Sequence, residues 1–293
     1  MSIGVIAGLF PGQGSHAGAL RGRVARVDPE LLAECDALVG EDAFARAGES
    51  TRFAQPAIFC ASIAGWLERP RSLGLVALAG HSLGELSALV AAGALDTRAG
   101  LRLAVRRGEL MAAACDGREE SMIALLGASE EQVASLAAAH ELVLANDNAP
   151  GQVVLAGPLE RLRAASRAAR ASSPQGEQRV KAILLDVAGA FHTPAMASAV
   201  APFRAELEQV EVGEPAIPVI SGSTAKPFTD IRAELAEAIV TPVRWREAML
   251  ALSALGADKF VDFGPGEVLA RLVKRNLPQA SVLDASEELS GVA

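Results

Sequence analysis

The stretch that most constrains this chain runs from Val76 to Gly93, VALAGHSLGELSALVAAG. A short apolar run, Val76 to Ala79, meets Gly80-His81-Ser82-Leu83-Gly84, and a helical pattern follows with no spacer. A strand that turns straight into a helix needs backbone to pass close on both sides of the corner, which the two glycines permit. Ser82 then stands at the apex with its hydroxyl at the helix N-terminus. There the free amides and the positive end of the helix dipole favour a developing oxyanion. Gly-x-Ser-x-Gly also surrounds structural serines in tight turns. The apolar strand before it and the amphipathic helix behind it are the context a nucleophile requires, and on that ground Ser82 is the candidate nucleophile.

With 293 residues, 51% of them hydrophobic and 21% charged, the chain can bury a large core as one big domain or a domain with an insertion. Aromatics make up only 4% and Tyr is absent, so Ala, Leu and Val must fill the interior, which suits close-packed α/β layers. A net charge of −8 argues against general nucleic-acid binding. Cys35, Cys60 and Cys115 fit neither a disulfide framework nor a metal site. The N-terminus lacks a charged region followed by a long apolar segment, and no apolar run approaches the ~18 residues needed to span a membrane. The expectation is a cytoplasmic protein without metal or membrane contact.

Before the corner, Ile3 to Phe10 reads as a buried strand ending at the glycine-rich loop Pro11-Gly12-Gln13-Gly14-Ser15. That loop is either a plain turn or a backbone donor at the carboxyl end of a parallel strand, where α/β sites usually lie. Helical spacing follows over Asp28 to Val39 (Leu31, Leu32, Leu38) and Gln55 to Leu67 (Ile58, Ile63, Leu67). Behind the corner, Asp96 can cap a helix reaching about Cys115. Arg98, Arg102 and Arg106 recur every four residues as a solvated stripe. Arg107 lies off that stripe, among Leu103, Ala104, Leu110 and Met111. An inward guanidinium demands an anion or several acceptors, and a substrate carboxylate would match its bidentate fork. Snorkelling or a buried ion pair are the other readings.

From Ser121 to Val187 the pattern becomes βαββαβ. The strands are Met122–Leu126, Leu142–Ala145, Gln152–Ala156 and Val180–Val187. The helices run from Ser129 through His140 and from Leu159 to Ala171, with a turn at 146–151. That order is ferredoxin-like, and the cleft between this insertion and the larger unit is the expected site. Beyond it lie Gly189-Ala190-Phe191-His192-Thr193-Pro194 and a helix begun by Thr193 and Pro194. The strand Ile217–Ser221 follows, then helices at Asp230–Ile239 and Arg244–Leu255. Last come the strand Lys259–Phe263, Gly264-Pro265-Gly266, the helix Glu267–Arg275 and a closing strand Ser281–Ala285. Of the four histidines, His81 diverges from its neighbour Ser82 and His140 ends a polar helix. His192, where the two units rejoin, is the best-placed partner for Ser82. His16 stays open as an alternative base, and a structural helix-start role as an alternative for His192.

These residues resemble the malonyl-CoA:acyl carrier protein transacylase family, which includes the acyltransferases of polyketide synthases. The likeness is carried by FPGQGS (Phe10–Ser15), GHSLGE (Gly80–Glu85), RRGELM (Arg106–Met111), NAPGQVVLAG (Asn148–Gly157), GAFH (Gly189–His192), TPVRW (Thr241–Trp245) and DFGPGEVL (Asp262–Leu269), in order along nearly the whole chain. The resemblance implies an α/β hydrolase-like large subdomain (residues 1–120 and 189–293) with a parallel sheet and nucleophile elbow. A ferredoxin-like subdomain (121–188) is inserted in it. It implies Ser82 as the acyl-carrying nucleophile, His192 as general base then acid, the amides of Leu83 and Gln13 as oxyanion hole, and Arg107 as the malonyl carboxylate's partner. Phe191 is similar to the residue of malonyl-selective members that disfavours a 2-methyl branch. His16 stands where the family usually has Gln. Ala238 stands where a Gln is frequent, a position whose backbone carbonyl orients the histidine.

The implied activity is ping-pong transfer of malonyl from malonyl-CoA to the phosphopantetheine thiol of an acyl carrier protein. The chain would need no cofactor of its own and would act as a monomer in fatty-acid or polyketide synthesis. The alternatives are an acyltransferase or editing hydrolase for a larger acyl group, and a non-catalytic carrier-protein docking subunit.

Overall fold

The computed structural model describes residues 4–14, 20–69, 73–171 and 180–283. Strands β1 (Val5–Phe10), β2 (Leu75–Gly80), β7 (Val219–Ile220), β8 (Ala257–Asp262) and β9 (Ser281–Leu283) form a five-stranded sheet. Its order is β7-β2-β1-β8-β9, and every pairing in it is parallel. A parallel sheet is covered on both faces, and alternate residues divide accordingly. Ile6, Phe10, Leu78, Val219 and Val261 enter one core, with α2 (Pro29–Val39), α3 (Thr51–Leu67), α4 (Gly84–Ala91) and α5 (Thr97–Ala113). Ala7, Leu9, Ala77, Ala79, Ile220 and Phe260 enter the other, with α10 (Trp245–Ala254) and α11 (Val268–Asn276).

The second sheet is antiparallel: β3 (Glu120–Leu126), β4 (Val143–Ala149), β5 (Gln152–Pro158) and β6 (Lys181–Leu184), ordered β4-β5-β3-β6. Helices α6 (Glu130–Ala139) and α7 (Leu159–Ala171) follow β3 and β5, which gives the βαββαβ order and the ferredoxin-like strand arrangement. One face of this sheet builds its own core with those helices around Ile123, Leu125 and Leu155. Met122, Ala145, Val154 and Ala156 point the other way, into the core of the large unit. The fold is thus α/β with a parallel sheet and a separate antiparallel one, as the sequence implies.

Local reading failed at one informative place. Asn146-Asp147-Asn148 reads as part of a turn, yet these residues belong to β4 and only Pro150 and Gly151 turn the chain. The reason is a partner about a hundred residues away. Val243 lies alongside β4 in a parallel bridge with Asn146, donating its N–H to the Ala145 carbonyl at 2.9 Å and accepting from the Asp147 N–H at 2.8 Å. Tertiary pairing overrides the turn preference of these side chains. That stitch also fastens the small sheet to the segment leading into α10.

Other boundaries move by a few residues. The sequence reading missed α1 (Arg21–Val27), and α3 begins at Thr51, capped by Ser50, rather than at Gln55. The last strand of the small sheet is Lys181–Leu184, shorter than Val180–Val187. Leu38 and Leu67, read as apolar stripe positions, are exposed. Arg98, Arg102 and Arg106 are about half-exposed, but they pair with Glu30 and Glu34 of α2 and Glu206 of α8 (Ala197–Glu208) and so tie helices together. Among the described residues no helix is long and apolar enough to cross a membrane. Ser15, His16 and the last two residues of the expected strand Ser281–Ala285 lie outside the described residues.

Candidate active site

The corner after β2 has the predicted form. Ser82 takes the left-handed conformation, φ 54°, a strained state for a residue with a side chain that persists only where the surroundings dictate it. Both motif glycines are sterically required. A Cβ at Gly80 would fall 2.1 Å from the Glu85 amide nitrogen, and one at Gly84 2.0 Å from the Phe10 carbonyl oxygen. Backbone cannot yield as a side chain can. Gly84→Ala is therefore expected to lower stability by about 1–3 kcal/mol and to misplace Ser82. Thermal melting together with serine acylation would measure both losses.

His192 Nε2 lies 2.8 Å from Ser82 Oγ, and His192 Nδ1 lies 2.8 Å from the carbonyl oxygen of Ala238. A carbonyl only accepts, so Nδ1 carries the proton and Nε2 is the free acceptor for the serine hydroxyl. Like Ser82, His192 has a positive φ, 60°, and it is buried. Burial, and then the nearby Arg107 cation, push its pKa down to about 3. The imidazole is consequently neutral at physiological pH and ready to take a proton.

Arg107 is 4% exposed. Its Nη1 donates to Gln55 Oε1 at 2.9 Å and its Nη2 to Ser82 Oγ at 3.2 Å, both uncharged partners. Among the described residues no carboxylate pairs with it. Glu85 acts on it only through space, and burial holds its pKa down to about 10. Snorkelling and a buried ion pair are thereby set aside. The guanidinium is a buried cation beside the Ser82 hydroxyl with fork capacity to spare.

Gln13 is exposed in the turn that follows β1. Its side-chain Oε1 accepts from Thr51 Oγ1 at 2.8 Å, and Thr51 Oγ1 accepts from Gln55 Nε2 at 2.8 Å. Gln13, Thr51, Gln55 and Arg107 thus form a relay that ends on Ser82. Sequence reasoning missed Thr51 and Gln55. The available signal was a glutamine inside the apolar run Phe53–Ala61 of α3, where a buried amide needs partners. The Pro11–Gly12 loop packs on the corner so closely that a Cβ at Gly12 would lie 2.4 Å from the His81 carbonyl oxygen. Leu83 opens α4, and among the described residues its N–H has no hydrogen-bond partner.

Phe191 is buried beside Gly189, its ring 3.4 Å from where a Cβ there would stand. His81 points elsewhere, as the sequence suggested: its Nε2 meets Asn148 Oδ1 at 2.8 Å and its ring packs on Trp245 at 5.3 Å. His140 closes α6, in the antiparallel unit. The structure therefore brings Ser82, His192, Arg107, Leu83 and the Gln13 loop to one place.

Comparison with known proteins identifies the family. The acyl transferase domain family model matches residues 18–290. The chain is 35% identical to the malonyl CoA-acyl carrier protein transacylase of Bacillus subtilis, covering 92% of this chain and 90% of that protein. It is 37% identical to polyketide biosynthesis protein ThaF of Burkholderia thailandensis over 92% of its own length, but spans only 24% of that longer relative. Its structure superposes on the malonyl CoA-acyl carrier protein transacylase of Burkholderia pseudomallei with a TM-score of 0.85 at 35% identity, covering 94% and 99% of the two chains. On the extent of these matches, the chain belongs to the acyl transferase domain family.

Proposed function

We propose that this acyltransferase moves a malonyl group from malonyl-CoA to the phosphopantetheine thiol of an acyl carrier protein in the cytoplasm, through an ester on Ser82. The observation that carries the reading is the convergence of His192 Nε2 and Arg107 Nη2 on one oxygen, Ser82 Oγ, at 2.8 and 3.2 Å. A malonyl group has one methylene between the reacting carbonyl and its free carboxylate. A guanidinium beside the nucleophile can therefore hold the carboxylate while the carbonyl faces Oγ.

His192 Nε2 takes the hydroxyl proton as Ser82 Oγ bonds to the thioester carbon. The amides of Leu83 and Gln13 would hold the oxyanion. The C–S bond then breaks, and the departing coenzyme A sulfur recovers the proton from His192. In the second half the carrier thiol gives its proton to His192, its sulfur bonds to the ester carbon, and the proton returns to Oγ as the C–O bond breaks. The Ala238 carbonyl, at the C-terminal end of α9 (Ile231–Glu237), takes the place a carboxylate fills in other serine enzymes. It fixes the tautomer and faces the imidazolium with the negative end of a helix, an effect of about 0.3–1 kcal/mol. Transfer in place of hydrolysis requires that water stay out of line until the thiol arrives. We take 121–188 as the inserted unit and its cleft with the large unit as the entry for both substrates.

Incubation with radiolabelled malonyl-CoA and holo carrier protein tests the whole reading. Label is expected first on this protein and then, in proportion, on the carrier. No label on either would reject it. Label on this protein that passes only to water would favour the hydrolase alternative.

A further inference from the structure

The mechanism uses Ser82 and His192, yet nothing in it says what holds two residues 110 positions apart in register. We propose that Glu85 is the positioning residue that bolts the nucleophile helix to the frame aiming His192. The proposal rests on the Ser82–His192 pair acting as described above, though not on the identity of the acyl group.

Glu85 lies one turn beyond Ser82 in the first turn of α4 and is 2% exposed. Its Oε1 accepts from the Gly222 N–H at 2.7 Å and from Ser221 Oγ at 3.3 Å, in the loop that follows β7. That loop runs close against the corner: a Cβ at Gly222 would stand 3.2 Å from the Gly80 carbonyl oxygen. It grips the His192 frame at two points. Thr224 Oγ1 donates to Glu234 Oε2 at 3.3 Å, in α9, and the Arg244 N–H donates to the Gly222 carbonyl at 2.7 Å, at the start of α10. Between those points lie Ala238, whose carbonyl orients His192, and Val243, which is stitched to β4.

The path from nucleophile to base is thus Ser82, Glu85, loop 221–224, segment 234–244, then His192. Each link is a hydrogen bond or a short covalent run. A buried carboxyl is costly to keep, and among the described residues no cation pairs with this one. Arg107 from α5 and Glu234 from α9 are the charged groups that act on it, and burial pushes its pKa up to about 7. What the position requires is an acceptor oxygen at a fixed place. A glutamine would supply that oxygen, and a leucine of similar bulk would not.

The test compares Glu85→Gln and Glu85→Leu in the full chain, with melting curves to establish folding. The readout is the rate of Ser82 labelling by a fluorophosphonate, which needs only the serine–histidine pair. Malonyl-CoA loading is followed in parallel. Glu85→Gln is expected to stay within about threefold of the parent in both. Glu85→Leu should react about 10²-fold more slowly, the loss typical of a misplacement near 1 Å, with KM for malonyl-CoA changed less than about threefold. A folded Glu85→Leu protein labelled at the parent rate would overturn the inference. So would a Glu85→Gln protein as slow as the leucine variant, since charge and not position would then be at work.

Should Glu85→Leu fail to fold, Thr224→Val cuts the path at the Glu234 link, losing besides only the long bond that Oγ1 accepts from the Lys226 N–H at 3.4 Å. It is expected to slow labelling about threefold to tenfold, and an unchanged rate there counts against the inference. If the parent takes the fluorophosphonate but no malonyl, the substrate reading above is what fails.

Discussion

Ser82→Ala protein should form no covalent acyl adduct with malonyl-CoA, and malonylation of the carrier protein should fall by about 10⁴-fold or more. The size of the loss follows from the arrangement. On the proposed route Oγ takes the acyl group, and the imidazole 2.8 Å away must first take the Oγ proton. His192→Ala should cost nearly as much, because a base without its nucleophile and a nucleophile without its base are equally idle. For the same reason the double variant should be no slower than Ser82→Ala alone, as groups that act as a unit do not add. Intact-mass spectrometry would report the adduct and a carrier-protein gel shift the turnover. An acyl adduct that persists in Ser82→Ala would locate the nucleophile elsewhere.

Arg107→Ala should separate two functions of one side chain. Truncating one member of a buried charge pair costs about 2–5 kcal/mol, so kcat/KM for malonyl-CoA is expected to drop by about 10²–10³-fold. Acetyl-CoA has no carboxylate to lose and should suffer little or gain. The second effect concerns pH. Arg107 is one of the two main influences that depress His192, after burial. Removing a cation beside an imidazole makes protonation easier, so the His192 pKa should rise and the acid limb of the acetyl-CoA profile should move to higher pH. The movement should be partial, since burial remains. In the parent, that limb should lie well below the ~6.5 of an ordinary histidine. A malonyl carboxylate seated on Arg107 would itself cancel part of the cation's field, so acyl binding would strengthen the base it needs. Unchanged malonyl kinetics in Arg107→Ala would remove the carboxylate role. An unmoved acid limb would remove the electrostatic one.

What could be seen in the sequence was whatever depended on near neighbours. The Gly80–Gly84 corner is legible because strand, turn and helix must meet within five residues, and only glycine tolerates the resulting contacts. Arg107 is legible because a charge at the wrong phase of an amphipathic helix has nowhere to go but inward. The βαββαβ unit is legible from the alternation of its periods. The pairing of His192 with Ser82 was also legible, because the strand end where the two units rejoin can reach the corner, but most of what escaped depended on distant chain. Asn146 to Asn148 became strand because Val243 covers them, and nothing near residue 146 announces that partner. Thr51 and Gln55 look like any helix start until Arg107 and Gln13 are placed beside them. Glu85 likewise reads as a helix-start acid. Only the fold shows it turned inward onto residues 221 and 222.

The histidine's orienting partner is main chain, supplied by Ala238, and main chain has no codon. Whatever side chain evolution or an engineer installs at position 238, short of a proline or a bulk the site rejects, the same oxygen stays in place. Serine enzymes that rely on an aspartate can be silenced by one nucleotide change at that residue. Here the third member is exempt from that hazard, and what limits position 238 is the room for its buried side chain.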